Sequence, residues 1–530
     1  MSSVKIFPVR TVQSRPPLPR SAASDLRPTM GEPKTDGPGA ETGVAAASNP
    51  QPGQENLVLP LEGNAPTEPY SIFSRTEKWF IVAMVAVAGF YSPLPANIYL
   101  PAIPKLSEAF GKSVELLNLT VTAFLATQGV SPMLWGPLSD RYGRRPVFLV
   151  CLTILIGACI GIAVIPTDAF WLLIVLRCLQ AAGCASTIAL GAGVIGDIST
   201  PEERGGFFGT FNLGPMLSPC IAPAIGGALS DKLGWRSIFW FQVIMAVCCL
   251  LFILLFLPET LRNLVGNGSV SLGGVYTPLL PVVGRSRRKN KIQGNKPGVK
   301  RSINPFVILV YPDVAITLTF TGVVYAVNNT VVTTVASSFA KVYPWLSETA
   351  LGLCYLPTGF GMIVGSTLTG KFLDWDYARI KKKVEESDGA ILFPKEYARL
   401  RTMPVLLVLF SGAVIAWGFC VDRGVHIAVP LVLQIVLGYT SIAILNTTMT
   451  LMIDILQTRS SAATACTNLV RCLLAALLVG LIDRMTAALR ISWSYVLLGG
   501  VCALLLPLMY IEMRVGPKWR MRRDLKSVDD

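Results

Sequence analysis

Charged residues and histidine are scarce in this sequence. Asp, Glu, Lys and Arg make up 15% of the 530 residues and hydrophobic residues 52%, whereas roughly a quarter of a soluble domain is charged. The apolar content excludes a disordered regulator, and the shortage of charge argues against a soluble enzyme. The single histidine, His426, leaves no material for imidazole catalysis or a multi-histidine metal site. A protein that crosses a membrane several times is the class that remains.

Paired cysteine spacings and nucleotide-binding loops are also lacking. The twelve cysteines all fall within or at the edge of apolar segments, where cysteine behaves as a small hydrophobe, so we expect neither disulfides nor a metal. The run Gly191-Ala-Gly-Val-Ile-Gly196 matches the dinucleotide fingerprint, but it lies late in an apolar segment with no strand before it. We therefore expect no nucleotide, no metal and no other cofactor.

The sequence is built instead from apolar segments of about 20 residues, the length that spans roughly 30 Å of hydrocarbon. Segments such as Ala246–Leu257 lack the polar stripe that helices of a soluble bundle carry. The pattern predicts an all-α integral membrane protein with twelve transmembrane helices. The predicted spans are Trp79–Leu100, Val114–Trp135, Pro146–Ile165, Phe170–Gly191, Gly206–Leu229, Ser237–Leu257, Val314–Ala336, Ala350–Gly370, Met403–Val421, Ile427–Thr450, Ala462–Ile482 and Ser492–Met513.

The segments between the spans predict the topology and the domains. Lys and Arg are concentrated in alternate loops, which places those loops and both termini in the cytoplasm. The net charge of +14 therefore marks orientation and does not call for a nucleic acid partner. Residues 1–75 are rich in Pro, Ser, Gly and Ala without a cleavable signal peptide, which predicts a disordered cytoplasmic tail. The further predicted domains are a six-helix half at 76–261, a central cytoplasmic loop at 262–304, a second six-helix half at 305–513 and a basic cytoplasmic tail at 514–530.

The two halves carry the same marks at matching places. Gly136-Pro-Leu-Ser-Asp140 follows the second span, and Gly370-Lys-Phe-Leu-Asp374 follows the eighth. Asp197 lies shortly after the fourth span, and Asp454 lies shortly after the tenth. Two parallel six-helix halves around a central cavity are an architecture of transporters.

The loop after the second span carries a resemblance to a known family. Gly136-Pro-Leu-Ser-Asp-Arg-Tyr-Gly-Arg-Arg-Pro146 resembles the signature between the second and third helices of the major facilitator superfamily. Gly136 lets helices approach closely, Asp140 can meet a helix N-terminus or an arginine, and Gly143 permits a turn. The resemblance implies a conformational latch, whereas a simple topogenic charge cluster would explain the arginines alone. The predicted latch residues are Gly136, Asp140, Arg141, Gly143, Arg144, Arg145, Asp197, Asp374 and Asp454.

Further motifs narrow the resemblance. Arg177-Cys-Leu-Gln-Ala-Ala-Gly183 resembles the fourth-helix motif of the superfamily, and the run Leu213–Gly227 resembles the fifth-helix motif that marks antiporters. In the latter, Ser218 and Ala222 stand where glycine is usual. Motifs at Ser92–Pro101, Leu257–Arg262 and Asn468–Cys472 resemble the fungal twelve-span drug:proton antiporters, within them the quinidine-resistance and citrate-exporter branch. The resemblance covers roughly residues 73–519 and implies the major facilitator fold.

Two arginines inside the spans are the leading candidates for the site. An arginine at mid-bilayer costs about 2.5–3.5 kcal/mol on the insertion scale, so Arg177 and Arg471 should face protein or water. They can meet an anionic substrate group or take part in proton coupling; the alternative is a fixed structural pair. The predicted substrate-binding or coupling set is Asn97, Tyr99, Arg177, Gln180, Asn328, Asn329, Asn446, Asn468 and Arg471. Because no Asp or Glu lies deep in a span, proton exchange rests on the resemblance.

The predicted function is secondary active efflux. The chain is expected to export a drug, toxin or secondary metabolite by alternating access in exchange for protons, as a monomer in the lipid bilayer of a plasma membrane. The first alternative is export of an organic acid such as citrate, which the two intramembrane arginines favour. A distant alternative is a non-transporting membrane receptor. A membrane enzyme is not expected, because no nucleophile–base pair or metal cluster is evident.

Overall fold

The computed structural model describes residues 70–270, 272–283, 309–386, 395–456 and 460–529, and the regular elements in these ranges are helices. Most of the predicted N-terminal tail, residues 1–69, lies outside them, as does much of the predicted central loop. The residues from Pro69 onward form one compact unit. The prediction of an all-α fold is confirmed for this part of the chain.

The first half contains nine helices in the described residues. The first predicted span is interrupted around Pro93, because proline cannot donate the backbone hydrogen bond of a helix interior. The fourth span is likewise divided at Ala185 and Ser186. The helices are α1 (Arg75–Phe90), α2 (Leu94–Asn97), α3 (Ile103–Phe110), α4 (Val114–Tyr142), α5 (Arg144–Val164), α6 (Phe170–Cys184), α7 (Thr187–Ile198), α8 (Pro201–Leu233) and α9 (Arg236–Phe256).

The second half repeats this pattern after a short connecting helix, α10 (Arg262–Val265). Its helices are α11 (Pro312–Val342), α12 (Glu348–Leu353), α13 (Leu356–Glu386), α14 (Lys395–Leu400), α15 (Met403–Asp422), α16 (Ala428–Ile455), α17 (Ser460–Ala503) and α18 (Leu505–Asp529). Within α17, Arg490 has a φ of 66°, a left-handed conformation that a regular helix does not contain. α17 therefore comprises two helices that meet at Arg490.

Ten helical stretches of the described residues are long and apolar enough to cross a membrane. One of them, Ala463–Arg523, has 61 residues, about three times the length that one span requires, and it bends at Arg490. It includes both the eleventh and the twelfth predicted spans. The second predicted span lies in α4, which has 29 residues but carries polar side chains such as Asn118 and Gln128 along its length. The membrane fold is thus confirmed, with ten apolar stretches by this criterion.

The two halves meet chiefly along two groups of helices. α4 packs against α17, and α8 packs against α12 and α13. Within the first half, α5 packs on α6 and α9; within the second, α13 packs on α16 and α11 on α17. The predicted latch residues Asp140 to Arg145 lie at one end of the first half, which we call the basic end. The other end, where α8 meets α12, is the opposite end.

The halves are in contact at the opposite end and diverge towards the basic end. On α4, a Cβ atom at Gly129 would lie 2.9 Å from Cys472 of α17, but nothing lies within 4 Å of the same position at Gly136, two turns further along the same face. On α8, Gly227 meets α12 and Cys220 meets α13, whereas Leu213, again on this face, is 55% exposed. A cleft between the halves therefore opens at the basic end.

Candidate functional site

Arg144 is the centre of the predicted latch. Its Nε lies 3.0 Å from Asp197 Oδ2 and its Nη1 lies 2.6 Å from Asp140 Oδ1. Nη1 also donates to Ser139 Oγ at 2.7 Å. The guanidinium passes so close to α7 that a Cβ atom at Gly193 would lie 2.8 Å from Arg144 Cζ. A glycine of the dinucleotide-like pattern thus makes room for an ion pair.

Glu259 holds the start of α5, a role that its sequence motif did not reveal. The buried carboxylate accepts hydrogen bonds from the backbone N–H groups of Arg144 at 2.9 Å and Arg145 at 3.1 Å, and also from those of Thr260 and Leu261. A carboxylate at a helix N-terminus satisfies amides that have no partner within the helix. Gly143 has a φ of 105°, and a Cβ there would lie 2.5 Å from Glu259 Oε2. Gly143 is therefore required for both conformation and space.

Two further arginines tie the connecting segment to this network. Arg145 is buried and donates to the carbonyl oxygens of Leu254 at 2.7 Å and Val275. Arg262 donates from Nε to the Asp197 carbonyl oxygen at 3.0 Å, and its Cζ lies 3.4 Å from the ring centroid of Tyr70. The chain segments that precede and follow the first half are thus joined at its basic end.

Not every predicted latch residue joins this network. Arg141 is exposed, with its Cζ 5.4 Å from the ring centroid of Tyr142. A Cβ atom at Gly136 would have no atom of another described helix within 4 Å, so the close helix approach that the sequence predicts there is not made in this conformation. Asp374 lies within α13, but its side chain is outside the described residues.

The second half has a corresponding ion pair. The Nε atom of Arg399, on α14, lies 3.0 Å from Asp454 Oδ2. Arg399 follows Arg144 by 255 residues and Asp454 follows Asp197 by 257, so the pair repeats that of the first half. The offset of 257 residues leads from Arg144 to Arg401, so the spacing alone does not identify Arg399 as the partner of Asp454.

Arg177 is enclosed within the first half. Its side chain is fully buried, and Nη1 donates to the Pro95 carbonyl at 3.1 Å and to Gln180 Oε1 at 2.6 Å. Its Cζ lies 4.2 Å from the ring centroid of Tyr99 and 4.4 Å from that of Phe124. No carboxylate of the described residues lies within 4.0 Å of it. Two aromatic faces and a carbonyl at the interrupted first span therefore hold this cation.

Arg471 lies where the two halves begin to diverge, and it is partly exposed. Its Nη2 donates to Asn468 Oδ1 at 2.9 Å, and its Cζ lies 4.9 Å from the ring centroid of Tyr325. Asn468 in turn donates to the Gln128 carbonyl across the interface at 3.0 Å. Within the described part of the chain, Arg471 also has no carboxylate within salt-bridge distance. It is the intramembrane arginine that a ligand in the cleft can reach.

The other predicted site residues are distributed around these two arginines. Tyr99 and Gln180 contact Arg177, and Asn468 contacts Arg471, whereas Asn328 is buried within α11. The remaining three make other hydrogen bonds: Asn97 to the Pro93 carbonyl, Asn329 to the Tyr325 carbonyl and Asn446 to Ser366 Oγ. The predicted residues that contact these arginines thus form one polar group around Arg177 and another around Arg471.

Polar contacts close the opposite end, and the sequence had not indicated them. Lys105 Nζ of α3 lies 3.1 Å from Glu348 Oε1 of α12. Asn118 of α4 donates to Asp483 Oδ2 of α17 at 2.7 Å. Both contacts join the first half to the second, so access from the opposite end is blocked in this conformation.

Comparison with protein families and curated proteins extends these observations. The model of the Major Facilitator Superfamily matches residues 85–479. Citrate exporter 1 of Aspergillus niger is 37% identical over 474 residues, which cover 86% of this chain and 89% of that protein. The multidrug transporter QDR2 of Candida glabrata is 35% identical over 507 residues, which cover 89% of this chain and 86% of that protein.

Solved structures with the same fold are more distant in sequence. A bacterial homologue of the human lysosomal transporter Spinster has a TM-score of 0.58 at 14% identity, covering 84% of this chain and 99% of its own. A D-xylose–proton symporter has a TM-score of 0.59 at 13% identity, covering 82% and 97%. At these identities the likeness concerns the fold alone.

Proposed function

Because the chain belongs to the major facilitator superfamily, whose model matches most of it, we propose that it is a secondary active exporter of a small organic molecule, a drug, toxin or secondary metabolite. One observation carries this proposal: a cleft between the halves opens at the basic end, while contacts such as Lys105–Glu348 close the opposite end. Alternating access requires such one-sided opening, in which one half moves against the other around a central site. We propose proton exchange as the energy source.

The proposed orientation places the basic end in the cytoplasm of a cell and the protein in its plasma membrane. The excess of Lys and Arg in the loops at that end supports this orientation. α1 begins and α18 ends at the basic end, where the Arg144 and Arg399 ion pairs lie. In this proposal both termini are therefore on the cytoplasmic side. The cleft then admits substrate from the cytoplasm. We propose that the protein acts as a monomer without an enzymatic activity, a cofactor or a nucleic acid partner.

Export of an organic acid is the second candidate function, and Arg471 favours it. A guanidinium that is partly exposed in the cleft and has no carboxylate partner among the described residues can bind the carboxylate of a substrate. A curated relative is named as a citrate exporter, while another is named as a multidrug transporter. For an anionic substrate, the membrane potential contributes about 2.3 kcal/mol per charge per 100 mV.

Transport by the purified protein in liposomes tests both functions. We expect the protein to transport a cationic drug or citrate that is supplied at its basic end. If transport is an exchange with protons, its rate should depend on an imposed pH gradient. Arg471→Gln should reduce citrate transport at least about tenfold, equivalent to 1.4 kcal/mol, because the variant keeps a polar side chain but loses the charge. Arg423→Gln, at an exposed arginine after α15, is the control. Transport of neither compound class would contradict the proposal.

A further inference from the structure

Glu512 is a buried carboxyl group at the basic end of the second half. It lies on α18 and is 1% exposed. Neither of its carboxyl oxygens has a hydrogen-bond partner among the described residues. It borders a cavity of about 10 Å³ between α11, α14, α16 and α18, close to the smallest volume that holds one water molecule.

The polar groups around this cavity have no hydrogen to give to Glu512. Thr317 and Thr448 line the cavity, but their hydroxyl groups donate to the carbonyl oxygens of Asp313 and Ile444 on their own helices. The remaining walls are apolar, with Phe320 among them. Transfer of an ionised carboxylate to such a place costs far more than transfer of the neutral acid.

The nearby arginines each bind a different carboxylate. Arg523 Nη1 lies 2.6 Å from Asp313 Oδ2 at the start of α11. Arg520 Nε lies 3.4 Å from Glu396 Oε1 on α14. Arg399 of α14 takes Asp454 of α16. Glu512 is thus a fourth carboxyl beside three arginines that already hold carboxylates.

Glu396 stands next to Glu512. A Cβ atom at Gly516 would lie 2.7 Å from Glu512 Oε1 and 3.3 Å from Glu396 Cγ, so the two glutamate side chains lie beside each other at this position. α15 also packs on α18, but its one charged residue, Asp422, lies at the opposite end of the molecule from Glu512. An ionised Glu396 beside Glu512 adds to the electrostatic cost of ionising Glu512.

The first half differs at the matching place. Glu259 follows the last helix of its half, as Glu512 ends the last span of the second half. Four backbone N–H groups satisfy the Glu259 carboxylate, and the described structure provides none for Glu512. Of these two matching carboxyl groups, Glu512 is therefore the one whose surroundings favour the protonated form.

We propose that the Glu512 carboxyl is a proton-binding site that links the conformational equilibrium of the transporter to the pH at the basic end. The site is protonated in the conformation with the cleft open at that end. On loss of the proton, the carboxylate requires a cation, and the nearest are Arg520 and Arg523, which must leave Glu396 or Asp313. α18 then shifts against α11 and α14, so acidification favours the described conformation. This inference rests on the proposed transport function.

Infrared difference spectroscopy of the purified protein tests the site without a substrate. Between acid and alkaline pH, the wild-type protein should lose the carbonyl band of a protonated carboxyl group. Glu512→Gln, which has the shape of the neutral acid, should lack that band, and Glu512→Asp should retain one. Glu108→Gln, at an exposed glutamate of the opposite end, is the control. A wild-type band that persists unchanged in Glu512→Gln overturns the proposal.

Transport against pH at the basic end tests the link to conformation. The transport rates of the wild-type and Glu108→Gln proteins should depend on pH in the same way. Glu512→Gln should lose that dependence and transport at every pH at the rate that the wild type shows at acidic pH. If Glu512→Gln exports substrate with the pH profile of the wild type, the proposed link is overturned, while the proposed transport function stands. Absence of export at every pH in the wild type would instead contradict the proposed function, while the infrared result still decides whether Glu512 binds a proton.

Discussion

At the residue scale, the two partners of Arg144 differ in their surroundings. The side chain of Asp197 is 13% exposed and that of Asp140 is 54% exposed. Ion pairs in contact with water contribute little, because water screens the charges, whereas breaking a buried pair leaves an unmatched charge. The predicted latch is therefore held chiefly by Asp197, with Asp140 as an exposed and readily broken partner.

We expect Asp197→Asn and Asp140→Asn to have different effects. Asp197→Asn should destabilise the first half by about 1–3 kcal/mol, because Arg144 remains buried without its charged partner. Asp140→Asn should change stability by about 1 kcal/mol or less, leave the protein in the membrane and slow its cycling. Thermal unfolding of the purified variants measures the first effect, and transport rate at equal expression measures the second.

Equal stability of the two variants would contradict this assignment of roles. Unchanged transport by Asp140→Asn at normal expression would refute the latch as a moving part and would leave the charge cluster with a topogenic role only.

At the scale of helices, small residues determine where the halves touch. A Cβ atom at Gly227 would lie 2.3 Å from the Glu348 carbonyl oxygen, and one at Gly352 would lie 2.5 Å from that of Pro223. The backbones of α8 and α12 are thus in direct contact at the opposite end, as small residues allow in membrane proteins. A side chain at either position would separate the two helices.

Gly227→Val should therefore hinder closure of the opposite end. We expect a shift towards conformations open at that end and a fall in transport of at least about tenfold, equivalent to 1.4 kcal/mol. Gly412→Val on α15, where nothing lies within 4 Å of a Cβ atom, is the matched control. Accessibility of the cleft to membrane-impermeant reagents from each side measures the shift, and equal labelling of the two variants would contradict the prediction.

At the scale of the whole molecule, charged contacts between the halves complete the closure. Lys105 also donates to the Ser230 carbonyl at 2.8 Å, so it is bound to both halves. Glu348 is the acidic partner, with its side chain 13% exposed. The contact forms only when the two halves meet, and it must break each time that the opposite end opens.

Exchange of the two charges tests this contact. Lys105→Glu should weaken closure because it faces Glu348 with a like charge, and transport should fall by roughly fivefold, about 1 kcal/mol. The double variant Lys105→Glu with Glu348→Lys should recover much of the loss. A double variant no better than Lys105→Glu, measured by transport in liposomes, would show that the pair does not couple the halves.

The sequence by itself determined the membrane class, the two halves, the family and the ion-pairing residues Asp140, Arg144 and Asp197. Apolar length and charge position are local properties, and they suffice for a helix to insert and orient in a bilayer. Similar motifs at matching positions of the two halves extended this prediction from single helices to the fold. Local patterns also favoured Arg177 and Arg471 as a pair, because both are charges inside apolar spans.

Only the tertiary structure decided how these residues are used. It encloses Arg177 between Tyr99 and Phe124 and leaves Arg471 at the cleft, a distinction that depends on helix rotation and packing. It also brings Glu259 to the start of α5 and provides no hydrogen-bond donor to Glu512 among the residues it describes. Burial and hydrogen bonding between helices distant in sequence arise from the packed bundle, and they assign different roles to residues that are chemically alike.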